Sequence, residues 1–454
     1  MQGAIFDCDG TLLDSMPMWT QSCVGLLERY GVDDALRVFL EHESLDMDKK
    51  CAWYHENLGI GQSSEQLYRE LWDCVAHAYK TTVRPFPGCE AFLESLARRG
   101  VPMAIASSTP PELLEVALSA HGLLGYFGEV VFAGDVGRSK EYPDVYLAAC
   151  QRLGTSVGET WVFEDAPFGV RSAARAGFPT VAIANDHDDR DPAFLRRWAT
   201  VVSHGYEGLD PKALDALGPG TLRALVVAGS PQMASPALVA NLAAEAGLVV
   251  AADSGAAALM AAGVSPDILC GDEDSAGEEA LRWAHKVASR VERFPREKDD
   301  TDLGLAVNCA REEARARGTG LHLVVTSASG GRPDHMLGVW GVLARNASLA
   351  PALVEDEFTC RVLSAEGSDS WQLEGQAGAT FSVVALRPDA VVSLEGMQWN
   401  LDHAPLELVS ERGVSNCLLE ERARITCHSG VVAAFVLATP DVCQTGGLRP
   451  DFWP

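Results

Sequence analysis

Twice along this chain, short runs of aliphatic and β-branched residues alternate with segments of helical period, and this alternation restricts the possible folds more than any other feature. The first series holds Ala4–Phe6, Met103–Ala106, Val130–Ala133, Trp161–Phe163, Val181–Ala184 and Val201–Val202. The second holds Leu225–Ala228, Leu248–Ala252, Ile268–Cys270 and Leu321–Thr326. Strands that alternate with helices pair in parallel, because each crossover helix carries the chain back to the same edge and covers one face of the sheet. Two α/β units built on parallel sheets are therefore predicted, the first of them doubly wound.

Between the first two strands of the first series lie too many residues for one crossover. Trp19, Cys23, Leu26, Leu27 and Tyr30 recur there at helical spacing and stop at Gly31, so a mostly helical cap is expected over about 16–82. Gly205 to Gly220 carries Gly-Leu-Asp-Pro and Gly-Pro-Gly with little apolar periodicity and reads as a linker. From Thr359 onward helical period fades, and Arg361–Leu363, Ser370–Leu373, Thr380–Leu386, Ala390–Leu394 and Arg424–Leu437 predict a terminal β-sandwich or sheet. The expected division is 1–209, a linker over 210–222, an α/β domain over 223–356 and a β-rich domain over 357–454.

A net charge of −27 with only seven lysines argues against nucleic acid and anionic membranes, which are bound through clustered Lys and Arg. The most apolar stretch, Leu248 to Val264, is too short to span a membrane and contains Asp253. Twelve cysteines occur singly, and no signal-like segment precedes the first predicted strand, so the expected compartment is a reducing cytoplasm. Any phosphate bound by so acidic a chain would need divalent cations to offset the carboxylates.

The first predicted strand breaks into Asp7-Cys8-Asp9-Gly10-Thr11: two carboxylates two residues apart, a glycine that lets the backbone turn, and a hydroxyl. One carboxylate so placed can attack phosphorus while the other passes protons. Ser107 follows a strand, Lys140 lies in Ser-Lys-Glu-Tyr-Pro-Asp, and Glu164-Asp165 ends a strand. All but Lys140 stand at the carboxyl ends of predicted strands, where doubly wound sheets place ligands. A lone Asp-x-Asp is most often a turn, but these four pieces in order form a set. The set resembles the haloacid dehalogenase superfamily, in the branch whose cap is inserted after the first motif, over roughly residues 1–205. The resemblance implies Asp7 as nucleophile, Asp9 as general acid and base, and Ser107 and Lys140 as the phosphoryl cradle. It also implies a Mg²⁺ site begun by Asp7 and Asp9 and completed by Asp165 with Glu164.

In the second series, acidic residues again cluster around glycine: Asp253-Ser254-Gly255, Gly271-Asp272-Glu273-Asp274, Lys298-Asp299-Asp300-Thr301-Asp302 and Gly330-Gly331-Arg332-Pro333-Asp334-His335. Carboxylates repel a nucleoside triphosphate until metal ions between them reverse the sign. This series resembles thiamine pyrophosphokinase over about residues 223–437, including Gly396-Met397-Gln398-Trp399 and Gly413-Val414-Ser415-Asn416 in the β-rich tail. The resemblance implies that Asp272, Asp274 and Asp302 hold Mg²⁺, and that Asp253, Lys298, Asp299, Thr301, Arg332, Asp334 and His335 contact or orient ATP. Ser415 and Asn416 would line a thiamine pocket formed between two subunits of a homodimer. Three positions depart from the family pattern: Ser254 replaces the second glycine of an Asp-Gly-Gly run, Leu337-Gly338-Val339 replaces Leu-Ala-Asn, and Cys417 replaces an acidic residue.

The expected function is bifunctional: Mg²⁺-dependent hydrolysis of a phosphomonoester, with thiamine monophosphate as the substrate suggested by the fusion, and pyrophosphoryl transfer from ATP to thiamine. The alternatives are a sugar-phosphate phosphatase or a phosphoglucomutase-like mutase in the first half, or one half kept as a non-catalytic scaffold.

Overall fold

The computed structural model describes residues 1–42, 45–184, 192–271, 277–294 and 300–437, without side chains at 192 and 193. By its contacts the chain divides into one unit of residues 1–221 with 317–320, and a second of residues 222–316 with 321–454.

In the first unit the predicted strands form as β1 (Gly3–Phe6), β2 (Met103–Ser107), β3 (Glu129–Phe132), β4 (Thr160–Glu164), β5 (Thr180–Ile183) and β6 (Val201–Ser203). They make one parallel sheet in the order β3-β2-β1-β4-β5-β6. The order reverses between β1 and β4, so the loops after these strands open a crevice at the carboxyl edge. Side chains alternate across β1: Ala4 and Phe6 join one core, and Ile5 joins the other. Phe6 stacks on Phe163 of β4, with ring centroids 4.4 Å apart.

The insertion after β1 is helical, as its period predicts: α1 (Met16–Arg29), α2 (Ala35–Glu41), α3 (Met47–Leu58) and α4 (Ser64–Thr81). Pro17 sits in the first turn of α1, where its missing N–H has no helical partner to lose, and Gly31 follows the helix at φ 73°. Cys23, Leu26 and Leu27 of α1 are fully buried, and Leu67, Leu71, Val75 and Tyr79 of α4 share their core. The cap is entered and left through a short paired ribbon: Asp14 N–H donates to Arg84 O (2.9 Å), Phe86 N–H donates to Leu12 O (2.9 Å), and Leu13 bridges Pro85 antiparallel. Within the segment read as a linker, Pro211–Ala216 forms a helix capped by the Asp210 carboxylate. Its Leu214 is buried in the first unit's core, a contact that a segment broken by Gly and Pro, with little apolar period, did not announce.

The second unit continues with β7 (Thr221–Val227), β8 (Leu248–Ala252), β9 (Ile268–Gly271), β10 (Arg290–Arg293), β11 (Gly320–Thr326), β12 (Ala352–Val354), β13 (Phe358–Ser364), β14 (Ser370–Glu374), β15 (Thr380–Ala385), β16 (Ala390–Glu395), β17 (Leu401–Leu406), β18 (Asn416–Cys417), β19 (Arg422–Ser429) and β20 (Val431–Leu437). Ten of these form a mixed sheet in the order β10-β9-β8-β7-β11-β12-β13-β20-β15-β18. The remaining four make an antiparallel sheet, β14-β19-β16-β17. Phe381, Val383 and Val432 from the larger sheet and Trp371, Val392, Leu394 and Ile425 from the smaller one meet in a single core, so the tail is the expected sandwich, with one layer continuous with the α/β sheet. The run read as one strand, Arg424–Leu437, is two, turned at Gly430 (φ 73°).

Candidate active site

Asp7 leaves β1 and Glu164 ends β4, so adjacent parallel strands deliver both carboxylates to one edge of the sheet. The loop between β3 and the helix Asp144–Leu153 brings Lys140 over them: its Nζ lies 2.7 Å from Asp7 Oδ1 and 2.6 Å from Glu164 Oε1. The Lys140 carbonyl accepts from Ser172 Oγ at 2.6 Å, which fixes the loop on the helix after β4. Glu164 also accepts from Tyr146 Oη (2.9 Å) and from the Ala166 N–H (2.8 Å). Asp165 accepts from Thr11 Oγ1 at 3.1 Å.

Asp9 is held separately. Its Oδ1 accepts from Ser15 Oγ (2.6 Å) and Tyr79 Oη (2.7 Å), and its Oδ2 accepts from Thr109 Oγ1 (2.7 Å). Ser107 Oγ accepts the Thr109 N–H at 3.1 Å, which leaves the hydroxyl proton of Ser107 to donate elsewhere. Gly10 has φ +76°, and a Cβ there would stand 2.2 Å from Asp165 Oδ2, so only glycine lets this loop pass so close to the carboxylate.

Asp7, Asp9, Ser107, Lys140, Glu164 and Asp165 all line one cavity of about 340 Å³, roofed by the cap. The six residues singled out from sequence for the first site thus come together. The structure adds Thr11, Ser15, Tyr79, Thr109 and Tyr146 as their hydrogen-bond partners. Thr11 stands in the Asp-x-Asp-Gly-Thr motif, whereas Tyr79 carries no local signal, being one aromatic residue on the buried face of a cap helix.

Burial pushes the Asp7 carboxyl up to about 7, and Glu164 and Asp9 add to that effect against the opposing Lys140 ammonium. Burial acts on Glu164 in the same sense, but Lys140 and the hydrogen bonds from Lys140, Ala166 N–H and Tyr146 outweigh it and leave that carboxyl below its ordinary value. For Lys140 the desolvation cost is overcome by the two carboxylates, which keep it charged. Asp7, Glu164 and Asp165 each offer an oxygen within 4.8 Å of the others, and all three are buried. A pocket holding these three and Asp9 against the Lys140 ammonium carries excess negative charge, and its hard oxygen donors fit Mg²⁺. Asp9 lies outside the group of three.

In the second unit Asp253, Thr301, Asp302, Arg332, Asp334 and His335 lie in the segments that follow β8, β10 and β11. Asp253 follows β8, is buried, and adopts φ 46°. Asp302 opens the helix Asp302–Arg317, and Thr301 Oγ1 accepts the Gly304 N–H at 3.2 Å. Gly330 and Gly331 (φ 80° and 70°) turn the chain into the helix Pro333–Arg345, at whose start Arg332 and Asp334 form an exposed pair (2.5 Å) beside exposed His335. The Arg332 guanidinium holds Asp334 down at about 2. Asp272, Asp274, Lys298 and Asp299 lie outside the described residues.

Sequence reasoning missed Glu355, just after β12. Its buried carboxylate accepts the backbone N–H groups of Ser327 (3.1 Å), Ala328 (2.8 Å) and Ser329 (2.9 Å), and so fixes the loop that leads to Gly330-Gly331-Arg332. In the tail, Ser415 is exposed at φ 60°. The Asn416 amide is engaged internally: Oδ1 accepts from Trp399 N–H (3.0 Å) and Nδ2 donates to Trp399 O (2.8 Å). Asn416 therefore sets the loop, and Ser415 and Trp399, 57 % exposed, face outward beside it.

Residues 4–183 match the family model of haloacid dehalogenase-like hydrolases. The chain is 31 % identical over 188 residues to validoxylamine A 7′-phosphate phosphatase of Streptomyces hygroscopicus subsp. limoneus, covering 41 % of this chain and 86 % of the relative. The N-terminal half belongs to the haloacid dehalogenase-like hydrolase family. It is also 30 % identical over 181 residues to fructose-1-phosphate phosphatase of Escherichia coli (strain K12), covering 40 % of this chain and 95 % of the relative. Residues 239–352 match the thiamin pyrophosphokinase catalytic domain, and residues 371–432 match the thiamin pyrophosphokinase vitamin B1 binding domain. The solved thiamine pyrophosphokinase from Bacillus subtilis aligns at 24 % identity and TM-score 0.41, covering 48 % of this chain and 99 % of that one. The chain thus joins a hydrolase domain of the haloacid dehalogenase type to a thiamin pyrophosphokinase domain. No helix among the described residues is long and apolar enough to cross a membrane.

Proposed function

We propose that the two halves act in sequence on one vitamin, in the cytoplasm and as a homodimer through the pyrophosphokinase half. In the hydrolase half an Asp7 oxygen attacks the phosphorus of thiamine monophosphate, the ester P–O bond breaks, and Asp9 gives its proton to the departing alkoxide. Asp9 then takes a proton from water as that water attacks the aspartyl phosphate, releasing inorganic phosphate and restoring Asp7. Ser107 and Lys140 bind phosphoryl oxygens. Mg²⁺ held by Asp7, Glu164 and Asp165 would supply the charge neutralisation that these oxygens need.

In the second half the thiamine hydroxyl displaces AMP from the β-phosphorus of ATP, giving thiamine diphosphate without a protein nucleophile, so positioning and charge carry the catalysis. Asp302, together with Asp272 and Asp274, would hold the Mg²⁺ ions; Asp253, Lys298, Asp299, Thr301, Arg332, Asp334 and His335 would bind or orient the nucleotide; Ser415, with Asn416 behind it, would meet thiamine.

The observation that carries the hydrolase reading is the buried triad Asp7, Glu164 and Asp165 under Lys140, with Asp9 held apart by three hydroxyls. The substrate follows from tethering: removing the phosphate supplies the alcohol that the second half consumes. Purified protein with Mg²⁺ and thiamine monophosphate should release phosphate, and with added ATP should form thiamine diphosphate and AMP. Asp7→Asn should abolish the first reaction and leave the second. Absence of phosphate release from thiamine monophosphate would reject the substrate assignment.

A second reading, a sugar-phosphate phosphatase, is favoured by the two relatives named for validoxylamine A 7′-phosphate and fructose 1-phosphate. Release of phosphate from fructose 1-phosphate in preference to thiamine monophosphate would select it.

A further inference from the structure

The cavity over Asp7 has two chemically different ends. The sheet end holds the carboxylates, Ser107 and Lys140. The wall contributed by the cap is built from Met16, Trp19, Phe39, Leu40, Leu71 and similar apolar side chains, and among the described lining residues of the cap only Asp46 and Lys50 are polar. Lys50 is 6 % exposed, and its ammonium stands 5.1 Å from the centroid of the Phe39 ring. Asp46 is paired with the outward Lys49.

This lining suits one kind of leaving group. A polyol brings four or five hydroxyls, each of which loses water on entry and needs a partner, and two charged side chains cannot serve them all. A flat heterocycle brings aromatic area, which Trp19 and Phe39 can cover, and a few ring nitrogens or amino groups at its rim.

We propose that the phosphatase takes the phosphate ester of an aromatic heterocycle, with the ring against Trp19 and Phe39 and with Lys50 as the specificity residue, donating to a ring nitrogen or oxygen at the end remote from the phosphate. Asp46 accepts from an amino group at the same end. The inference rests on the reading of this site as a phosphomonoesterase.

The full chain is assayed with Mg²⁺ for phosphate release from acetyl phosphate, thiamine monophosphate, pyridoxal 5′-phosphate, fructose 1-phosphate and sorbitol 6-phosphate. The heterocyclic esters are expected to show kcat/KM at least tenfold above the polyol esters. In Lys50→Met the ratio of heterocyclic to polyol kcat/KM should fall at least fivefold, chiefly through KM, with partial recovery in Lys50→Arg. Because the readout is a ratio within one preparation, a loss of folded protein does not move it, and the wild-type panel stands without the variant. If acetyl phosphate and every ester remain intact, the phosphomonoesterase reading itself is overturned. If acetyl phosphate is cleaved but polyol esters equal or exceed the heterocyclic ones, or Lys50→Met leaves the ratio unchanged, the leaving-group assignment alone is overturned.

Discussion

The phenol of Tyr79, on the last turn of a cap helix, donates to Asp9 Oδ1 at 2.7 Å and ties the cap to the second carboxylate of the Asp-x-Asp motif. With Ser15 and Thr109 it completes a cradle of three hydroxyls around one carboxylate. A hydrogen bond to a charged group contributes about 1.5–3 kcal/mol. Tyr79→Phe should therefore lower kcat for phosphate release by roughly tenfold or more, while pyrophosphoryl transfer by the other half stays at the wild-type rate. Equal kcat values for variant and wild type would remove Tyr79 from the site.

Replacing Gly10 by alanine puts a methyl group into Asp165 Oδ2 and asks a non-glycine residue to hold φ +76°. Phosphatase activity should drop by about two orders of magnitude, and thermal unfolding should report a loss of roughly 1–2 kcal/mol from the left-handed backbone alone. A variant that unfolds and turns over like the wild type would contradict the close approach.

Magnesium binding should tighten with pH. Asp7 must lose its proton to become a ligand, and its carboxyl is pushed up to about 7, so the apparent Mg²⁺ affinity at the first site should rise about tenfold between pH 6 and 8. Calorimetric titration at three pH values measures this, and Asp7→Asn should abolish the dependence. A flat profile in wild type would show that Asp7 does not compete with protons for the ion.

His322, half-buried on β11, is held down to about 4 by burial and by Arg223 and Arg361. A histidine whose folded pKa is depressed is protonated more readily in the unfolded chain. Between about 6.5 and 4, then, stability of the second unit is lost as pH falls, and above 6.5 this contribution is constant. Thermal melts across pH 4.5 to 7.5 should show the decline, and His322→Gln should flatten it. Parallel curves for the two proteins would assign the acid sensitivity to other groups.

Glu355 holds three backbone N–H groups of the loop before Gly330-Gly331-Arg332. Glu355→Ala strands the buried donors of Ser327 and Ala328 and the half-buried one of Ser329, at roughly 1–3 kcal/mol for each buried group left without a partner. The variant should unfold several degrees lower, and its KM for ATP should rise more than its KM for thiamine. An unchanged KM for ATP in folded variant would confine Glu355 to stability.

The sequence disclosed what periodicity and local spacing can carry. Six candidate site residues of the first unit stand at strand ends or in one loop, and the parallel sheet had to bring their edge together. The partners of Asp9 were hidden because Ser15, Tyr79 and Thr109 lie 6, 70 and 100 residues away, and no local rule links a cap helix to a strand end. Asn416 illustrates the opposite difficulty. Its pairing with Ser415 in sequence suggested a shared task, but its amide is used by Trp399, a contact across 17 residues that only the folded loop creates. The helix Pro211–Ala216 was hidden for a similar reason: one buried leucine between glycines and prolines carries no period.

The ribbon formed by Leu12 to Asp14 and Arg84 to Phe86 places both chain connections of the cap a few residues from Asp7 and Asp9. Ser15 and Tyr79, which donate to Asp9, adjoin that ribbon in the chain, whereas Phe39 and Lys50 lie far from it. If the proposed mechanism holds, a swing of the cap about the ribbon would lift the roof off the leaving group while the contacts of Asp9 stay in place, so product could depart and a new ester enter without that cradle having to be rebuilt at each turnover.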